Sequence, residues 1–189
     1  FAQRLSYTGE LGWEIFITPD FAEHVFETLM AAGEAHGLRL VGGEALNALR
    51  IGAGFVHWGH DMAYIEAPHQ LGLDFICKPD KPIPFIGRDA YLKRKAAGKG
   101  PALRSLRLHD PDALLHHNEP VLKDGEIIGF VTSGAYNAKT GSAIGLCMIT
   151  LPAGDARSSD LTGNYTVLVE GREIDAEITK KPITHSSKR

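Results

Sequence analysis

The periodicity of the chain changes once, near residue 100, and this change constrains the fold more than any other feature. Before it, apolar residues recur at helical spacing, with Phe21, Val25, Phe26, Leu29 and Met30 on one face of a predicted helix. After it, apolar and polar residues alternate in short runs broken by turn residues, as strands require. LRSLRLH alternates with period two from Leu103. In PVLKDGEIIGFVT, Asp124-Gly125 stands between two apolar arms, a hairpin signal because glycine accepts positive φ without strain. SAIGLCMIT reads as a continuous apolar strand, and NYTVLVEGREIDAEIT as a second hairpin turning near Gly171. Pro101 and the basic stretch KRKAAGKG mark the boundary. The expected class is α+β: a mixed α/β piece over residues 1–98, then a small all-β barrel over 101–189.

Within the first half, RLSY and WEIFIT read as extended segments. Asp20, after Thr18-Pro19, is the expected helix N-cap, and Gly33 the expected stop. A second helix is predicted from Gly43 to about Ile51, burying Leu46 and Leu49. A third runs from Asp89 to Ala97, carries Tyr91 and Leu92, and stops at Gly98. LGLDFIC is predicted as a strand.

Composition removes several classes of function. Of 189 residues, 43% are hydrophobic and 23% charged, a globular balance that excludes disorder and fibre. A formal charge of −3 gives no electrostatic case for nucleic acid. No run approaches the ~18 apolar residues of a membrane span, and no signal peptide is visible. Cys77 and Cys147, each among apolar neighbours, read as buried free thiols. Asn164-Tyr165-Thr166 matches a glycosylation acceptor, a triplet common by chance. The chain starts without Met on a predicted strand and is expected to be part of a longer protein.

The chemistry-bearing residues cluster in the first sixty positions. Glu14 closes YTGELGWE and precedes the apolar run Ile15-Phe16-Ile17. At a cavity wall its two acceptor oxygens would suit the paired N–H and NH₂ edge of a heterocycle, with Trp13 or Tyr7 covering the ring. On an edge strand the same glutamate is simply solvated, and spacing alone favours that simpler reading. Gly9 and Gly12 either allow close approach of a ligand or make a tight turn. Arg50 ends the helical GGEALNALR, where a guanidinium can clamp a carboxylate or merely complement the helix dipole. His57-Trp58-Gly59-His60-Asp61 offers metal-ligand types but no further ligand group, so no metal site is expected. His116-His117 is expected in an exposed loop. No GxSxG, P-loop or strand-following GxGxxG occurs, so no catalytic nucleophile is identified.

Four strings in order, YTGELGWE, ALNALRIGAGFVHWGHDM, KPIPFIGRDAYLKRK and EIIGFVTSGAYNAKTGSAIGLCMI, resemble the aminomethyltransferase (glycine cleavage T-protein) family. The likeness is nearest to the form found at the C-terminal end of dimethylglycine and sarcosine dehydrogenases, and it runs from Arg4 to about Pro182. It implies a tetrahydrofolate site: Glu14 on the pterin edge, Tyr7 lining the same pocket, and Arg50 at the far end of the folate. Trp58 stands where the family often has a tyrosine, so a hydroxyl contact from that position is missing.

The family fold begins upstream of this chain with further pocket walls and an aspartate near the reacting folate nitrogen. The resemblance therefore implies a C-terminal part of a flavin-dependent N-methyl amine demethylating enzyme. FAD would belong to a missing N-terminal oxidoreductase region, and no turnover is expected from this part alone. Its expected setting is the bacterial cytoplasm or the mitochondrial matrix. One alternative is a free-standing aminomethyltransferase that takes its carbon from a lipoyl-bound group. Another is a non-catalytic regulatory or scaffold module; KPIPFIGRDAY lacks the cysteine of the iron–sulfur scaffold string.

Overall fold

The computed structural model describes residues 1–151 and 160–184, so the last five residues of the expected second half lie outside it. Six strands close into an antiparallel barrel: β3 (Ala102–Leu108), β4 (Pro120–Lys123), β5 (Glu126–Asn137), β6 (Ser142–Ile149), β7 (Tyr165–Val169) and β8 (Arg172–Thr179). Their order around the barrel is β3-β6-β5-β4-β7-β8. Both predicted hairpins form. Asp124 and Gly125 have φ of 51° and 86°, and Glu170 and Gly171 have 49° and 79°. Two successive positive φ values match the right-handed twist of the flanking strands, which is why these turns close hairpins.

Strand β6 explains its own unbroken apolar sequence. Every residue along it is buried. Ala143, Cys147 and Ile149 join Leu106, Val121, Val131 and Val167 inside the barrel. Ile144 and Leu146, on the opposite face, pack with Ile51 of the preceding half. A strand covered on both faces has no polar side to alternate with. Complete burial of Ile51, Ile144 and Leu146 is worth about 1.5–3 kcal/mol for each side chain. The helix that supplies Ile51 is therefore fixed against the barrel wall.

That helix is α2 (Gly43–Gly52), and α1 (Ala22–Gly33) and α3 (Arg88–Ala97) are the other two. Helix α3 ends at Gly98 in the left-handed conformation, as expected. Its Tyr91 is buried, and the Tyr91 hydroxyl donates to Asp74 at 2.7 Å.

Several local expectations are corrected. Asp20 is not a cap; it sits inside a short 3-10 turn, Pro19–Phe21, that runs into α1. The α-helix does end at Gly33, as expected, but the chain goes on in a 3-10 turn, Glu34–His36, that stops at Gly37, whose φ is 72°. The buried residues of α2 are Arg50, Ile51 and Gly52 rather than Leu46 and Leu49, because the C-terminal end of the helix meets the barrel. LGLDFIC forms a 3-10 turn over Asp74–Ile76 instead of a strand. RLSY forms no strand; the two-residue β1 (Ala2–Gln3) lies just before it, and WEIFIT contributes only the two-residue β2 (Glu14–Ile15), paired with β1. This ribbon is exposed, with Trp13 62%, Ile15 47% and Phe16 51% accessible. Of the two cysteines, which form no disulfide, Cys147 is buried and Cys77 only half-buried.

Candidate functional site

The polar centre of the molecule lies where α2 meets the barrel. The last turn of α2 points Arg50 inward and leaves it 2% exposed, opposite Asp61 at 1%. The two form a buried ion pair between the Arg50 Nη1 and an Asp61 carboxylate oxygen. Arg50 also donates through Nε to Asn47 at 2.8 Å, through Nη1 to the Phe55 carbonyl at 3.2 Å, and through Nη2 to Ser133 at 2.7 Å. Asp61 accepts further from the His57 backbone N–H at 2.9 Å and the Thr132 hydroxyl at 2.5 Å. Buried charges are tolerable only when matched and well hydrogen-bonded; here the charges match, four of the five Arg50 N–H groups are engaged, and both Asp61 oxygens accept. The network ties α2, the loop of residues 55–61 and strand β5 together.

Beside this network lies a hollow of about 460 Å³, lined by Tyr7, Glu44, Arg50, His57, His60 and Ser133 among others. The Tyr7 hydroxyl donates to the Val56 carbonyl at 2.9 Å. Its ring stacks on Phe55 with centroids 6.3 Å apart and planes 18° from parallel. Burial pushes the Tyr7 phenol above its ordinary range, and the nearby Arg50 charge works against that rise. Imidazoles occupy much of the rest. His57 stacks on His60 at 4.6 Å, His60 meets His117 edge-on at 5.8 Å, and His117 Nδ1 lies 2.7 Å from the Thr132 carbonyl.

Tyr7 and Arg50, two of the four residues singled out in the sequence, share this hollow. The other two do not. Glu14 is exposed on β2, opposite Gln3, and is absent from the lining. Trp58 is 62% exposed and also lies outside it. Arg50 is not the free clamp expected at a ligand's far end: four of its N–H donors are already committed to protein acceptors.

The glycines of the opening turn have packing reasons of their own. A Cβ on Gly9, whose φ is +76°, would come within 2.9 Å of the Ala53 Cβ, and one on Gly12 within 2.7 Å of the Leu5 carbonyl. The turn is pressed against the end of α2. Among the described residues, no group of three or more His, Cys, Asp or Glu is placed to hold a metal ion.

Sequence reasoning missed Thr132, Ser133 and the pairing role of Asp61. The string HWGHD had drawn attention for its ligand types. Its use here is to return Asp61 beneath Arg50 through a turn that closes from the Asp61 N–H to the His57 carbonyl at 2.9 Å.

A closed six-stranded barrel carrying a helix-bearing piece on one wall, with a polar hollow at the junction, defines a two-part α+β module. Residues 1–81 match the family model of the GCVT N-terminal domain, and residues 102–184 that of the glycine cleavage T-protein C-terminal barrel domain. The chain belongs to the glycine cleavage T-protein family.

It is 36% identical over 182 residues to a formaldehyde-forming 4-methylaminobutanoate oxidase of Paenarthrobacter nicotinovorans, covering 96% of this chain and 21% of that protein. Human mitochondrial sarcosine dehydrogenase is 32% identical over 191 residues, spanning all of this chain and 21% of the relative. An aminomethyltransferase of Desulforamulus reducens is 32% identical over 95% of this chain and 47% of its own length. The fold matches the crystal structure of the glycine cleavage system aminomethyltransferase T from Bartonella henselae with a TM-score of 0.82 at 22% identity, over 96% of this chain and 49% of that one. The chain thus spans about a fifth of the two oxidising relatives and just under half of the aminomethyltransferase. No helix among the described residues is long and apolar enough to cross a membrane.

Proposed function

We propose that the chain is a tetrahydrofolate-binding one-carbon transfer module of a flavin-dependent N-methyl amine demethylating protein. The observation that carries this reading is the hollow at the junction of the two family-matched segments, lined by Tyr7, whose ring is held by stacking on Phe55. Its volume of about 460 Å³ falls within the ~300–1,000 Å³ of small-molecule sites. A flat aromatic wall with several polar groups around it suits a fused heterocycle bearing hydrogen-bonding edges. Bound tetrahydrofolate would supply the nucleophilic amines that take up a one-carbon unit. The chain's own task is to position that cofactor and exclude water.

In this reading Tyr7 lines the ring pocket, and Arg50 holds the floor through its pair with Asp61. Glu14 is the pterin-edge acceptor only once its ribbon is covered. An exposed carboxylate gains only ~1 kcal/mol from a charge 4 Å away in water, and several times more where water is excluded. The apolar exposure of Trp13, Ile15 and Phe16 on the same ribbon supports a covering of further polypeptide. An N-terminal oxidoreductase region, with its FAD, would be that cover.

Calorimetry with reduced folate tests the proposal. The longer protein is expected to bind, Glu14→Ala to weaken that binding at least about tenfold, matching one lost charge-assisted contact, and the present chain alone to bind weakly. Folate affinity unchanged by Glu14→Ala in the longer protein removes Glu14 from the site, and no folate binding by the longer protein overturns the proposal. A second reading, a free-standing aminomethyltransferase, is supported by the 32% identity to the Desulforamulus reducens enzyme, the same as to human sarcosine dehydrogenase and below the 36% to the oxidase. Flavin absorbance in the longer protein separates the two.

A further inference from the structure

A second cavity, of about 310 Å³, lies apart from the hollow beside Arg50 and shares no lining residue with it. Its volume equals that of roughly ten water molecules in the liquid. Three parts of the fold enclose it: the turn of residues 69–74, the outer face of β3 and β6, and residues 180–182 after β8. Gln70 ties the turn to the start of β3. Its carbonyl accepts from the Leu103 N–H at 2.7 Å, and its side-chain amide donates to the Pro101 carbonyl at 3.1 Å. At another part of the rim, a Cβ on Gly54 would come within 2.9 Å of the Pro182 side chain. The walls are set by the chain's own packing.

The lining carries groups of both signs beside the apolar side chains of Leu71, Leu103, Leu146 and Pro182. Ser105 is 5% exposed, and among the described residues its hydroxyl has no hydrogen-bond partner. A buried hydroxyl is costly unless paired, so Ser105 calls for an acceptor inside the cavity. Asp74 engages only one oxygen: Oδ1 accepts from the Tyr91 hydroxyl at 2.7 Å and lies 2.9 Å from the Lys95 Nζ. Among the described residues its Oδ2 accepts no hydrogen bond. Burial pushes the Asp74 carboxyl up, but the bonds from Tyr91 and Lys95 outweigh it and hold it below its ordinary range, so it is ionised. Lys180 brings a positive charge to the same lining, with His69 and Arg104 beside it.

We propose that this cavity binds a small amino-acid zwitterion with an apolar side chain. The ammonium of the ligand donates to Asp74 Oδ2, its carboxylate accepts from the Ser105 hydroxyl and the Lys180 ammonium, and its side chain lies on Leu71, Leu103 and Leu146. Both ends are then held by charge-assisted hydrogen bonds. A plain carboxylate leaves Asp74 without a donor, and a plain amine leaves Ser105 without an acceptor and meets the Lys180 charge. A site built around polar groups discriminates strongly against an analogue that lacks their partners. The proposal stands whether or not the hollow beside Arg50 holds folate.

L-Leucine, isocaproate (the same skeleton without the amino group) and isopentylamine (without the carboxylate) are titrated into the chain by calorimetry, with leucine methyl resonances followed by NMR. Leucine is expected to bind at one site, to move the Leu71, Leu103 and Leu146 signals, and to bind about tenfold or more tighter than either analogue. Ser105→Ala removes only the hydroxyl; it should weaken leucine about tenfold and leave the melting midpoint in place. Asp74→Asn should weaken leucine and isopentylamine and spare isocaproate. Should Asp74→Asn fail to fold, Ser105→Ala and the two analogues decide. Absence of leucine binding, an analogue binding as tightly as leucine, wild-type affinity in Ser105→Ala, or shifts confined to residues around Tyr7 would each overturn the inference.

Discussion

Replacing Asp61 by Asn keeps the size of the side chain and removes its charge, leaving the Arg50 guanidinium buried with no counter-ion. Both residues are almost wholly inaccessible, at 1% and 2%. Breaking a buried pair from one side costs about 3–5 kcal/mol, since the surviving charge has lost its partner and cannot reach water. At this chain length 1 kcal/mol moves the thermal midpoint by ~2–4 °C, so a 4 kcal/mol loss lowers it by ~8–16 °C. Urea unfolding gives the free energy, and calorimetric melting gives the midpoint.

Combining Asp61→Leu with Arg50→Met should restore part of the loss, because the unpaired charge is gone. Restoration stays incomplete, since the His57 N–H loses its acceptor and the Thr132 hydroxyl keeps only the longer contact to the Leu146 carbonyl at 3.2 Å. A loss below about 1 kcal/mol for Asp61→Asn, the size typical of surface pairs, would refute the reasoning. The pair would then be solvated and would not be what locks α2 to the barrel.

Further outcomes follow from the same geometry. Burial pushes the Cys147 thiol from 9.0 up to about 12, so at pH 8 a thiol reagent should label only Cys77 in the folded chain, counted by mass spectrometry. The native thiol keeps its proton to higher pH than the unfolded one does. Its contribution is therefore complete below pH 9 and lost as pH rises toward 12, and Cys147→Ala should flatten that alkaline fall in urea titrations. Gly134 lies against Leu115, where a Cβ would sit 2.5 Å from backbone atoms, so Gly134→Ala should destabilise by about 1–3 kcal/mol in the same assay.

The barrel was legible in the sequence because its signals are local. Alternation in LRSLRLH, the Asp124-Gly125 turn and the turn at Gly171 each name a strand or its end without reference to distant residues. The three helices were legible for the same reason. The short 3-10 turn at Asp74–Ile76 was misread, because LGLDFIC has the apolar content of a strand over a length too short to show a period. Leu46 and Leu49 were taken for the core face of α2, since a helical period shows that faces exist and not which one meets a neighbour.

The candidate site divides the same way. Tyr7 and Arg50 stood out by type and position, and both line the hollow. Their partners did not stand out, because Asp61, Thr132 and Ser133 become neighbours only when strand β5 closes against the end of α2, up to 83 residues away along the chain. Glu14 and Trp58 drew attention through their neighbours in sequence, and the fold leaves both in solvent.

The sequence by itself determined the three helices and the barrel strands, where the hairpins turn, and which family the residues resemble. Tertiary structure alone decided that Arg50 is a buried structural cation rather than a free clamp, and that four histidines from two loops share one hollow. The reason is physical. Backbone preference and side-chain period act within a few residues, whereas desolvation and charge pairing are set by whatever closes over a group from elsewhere in the chain.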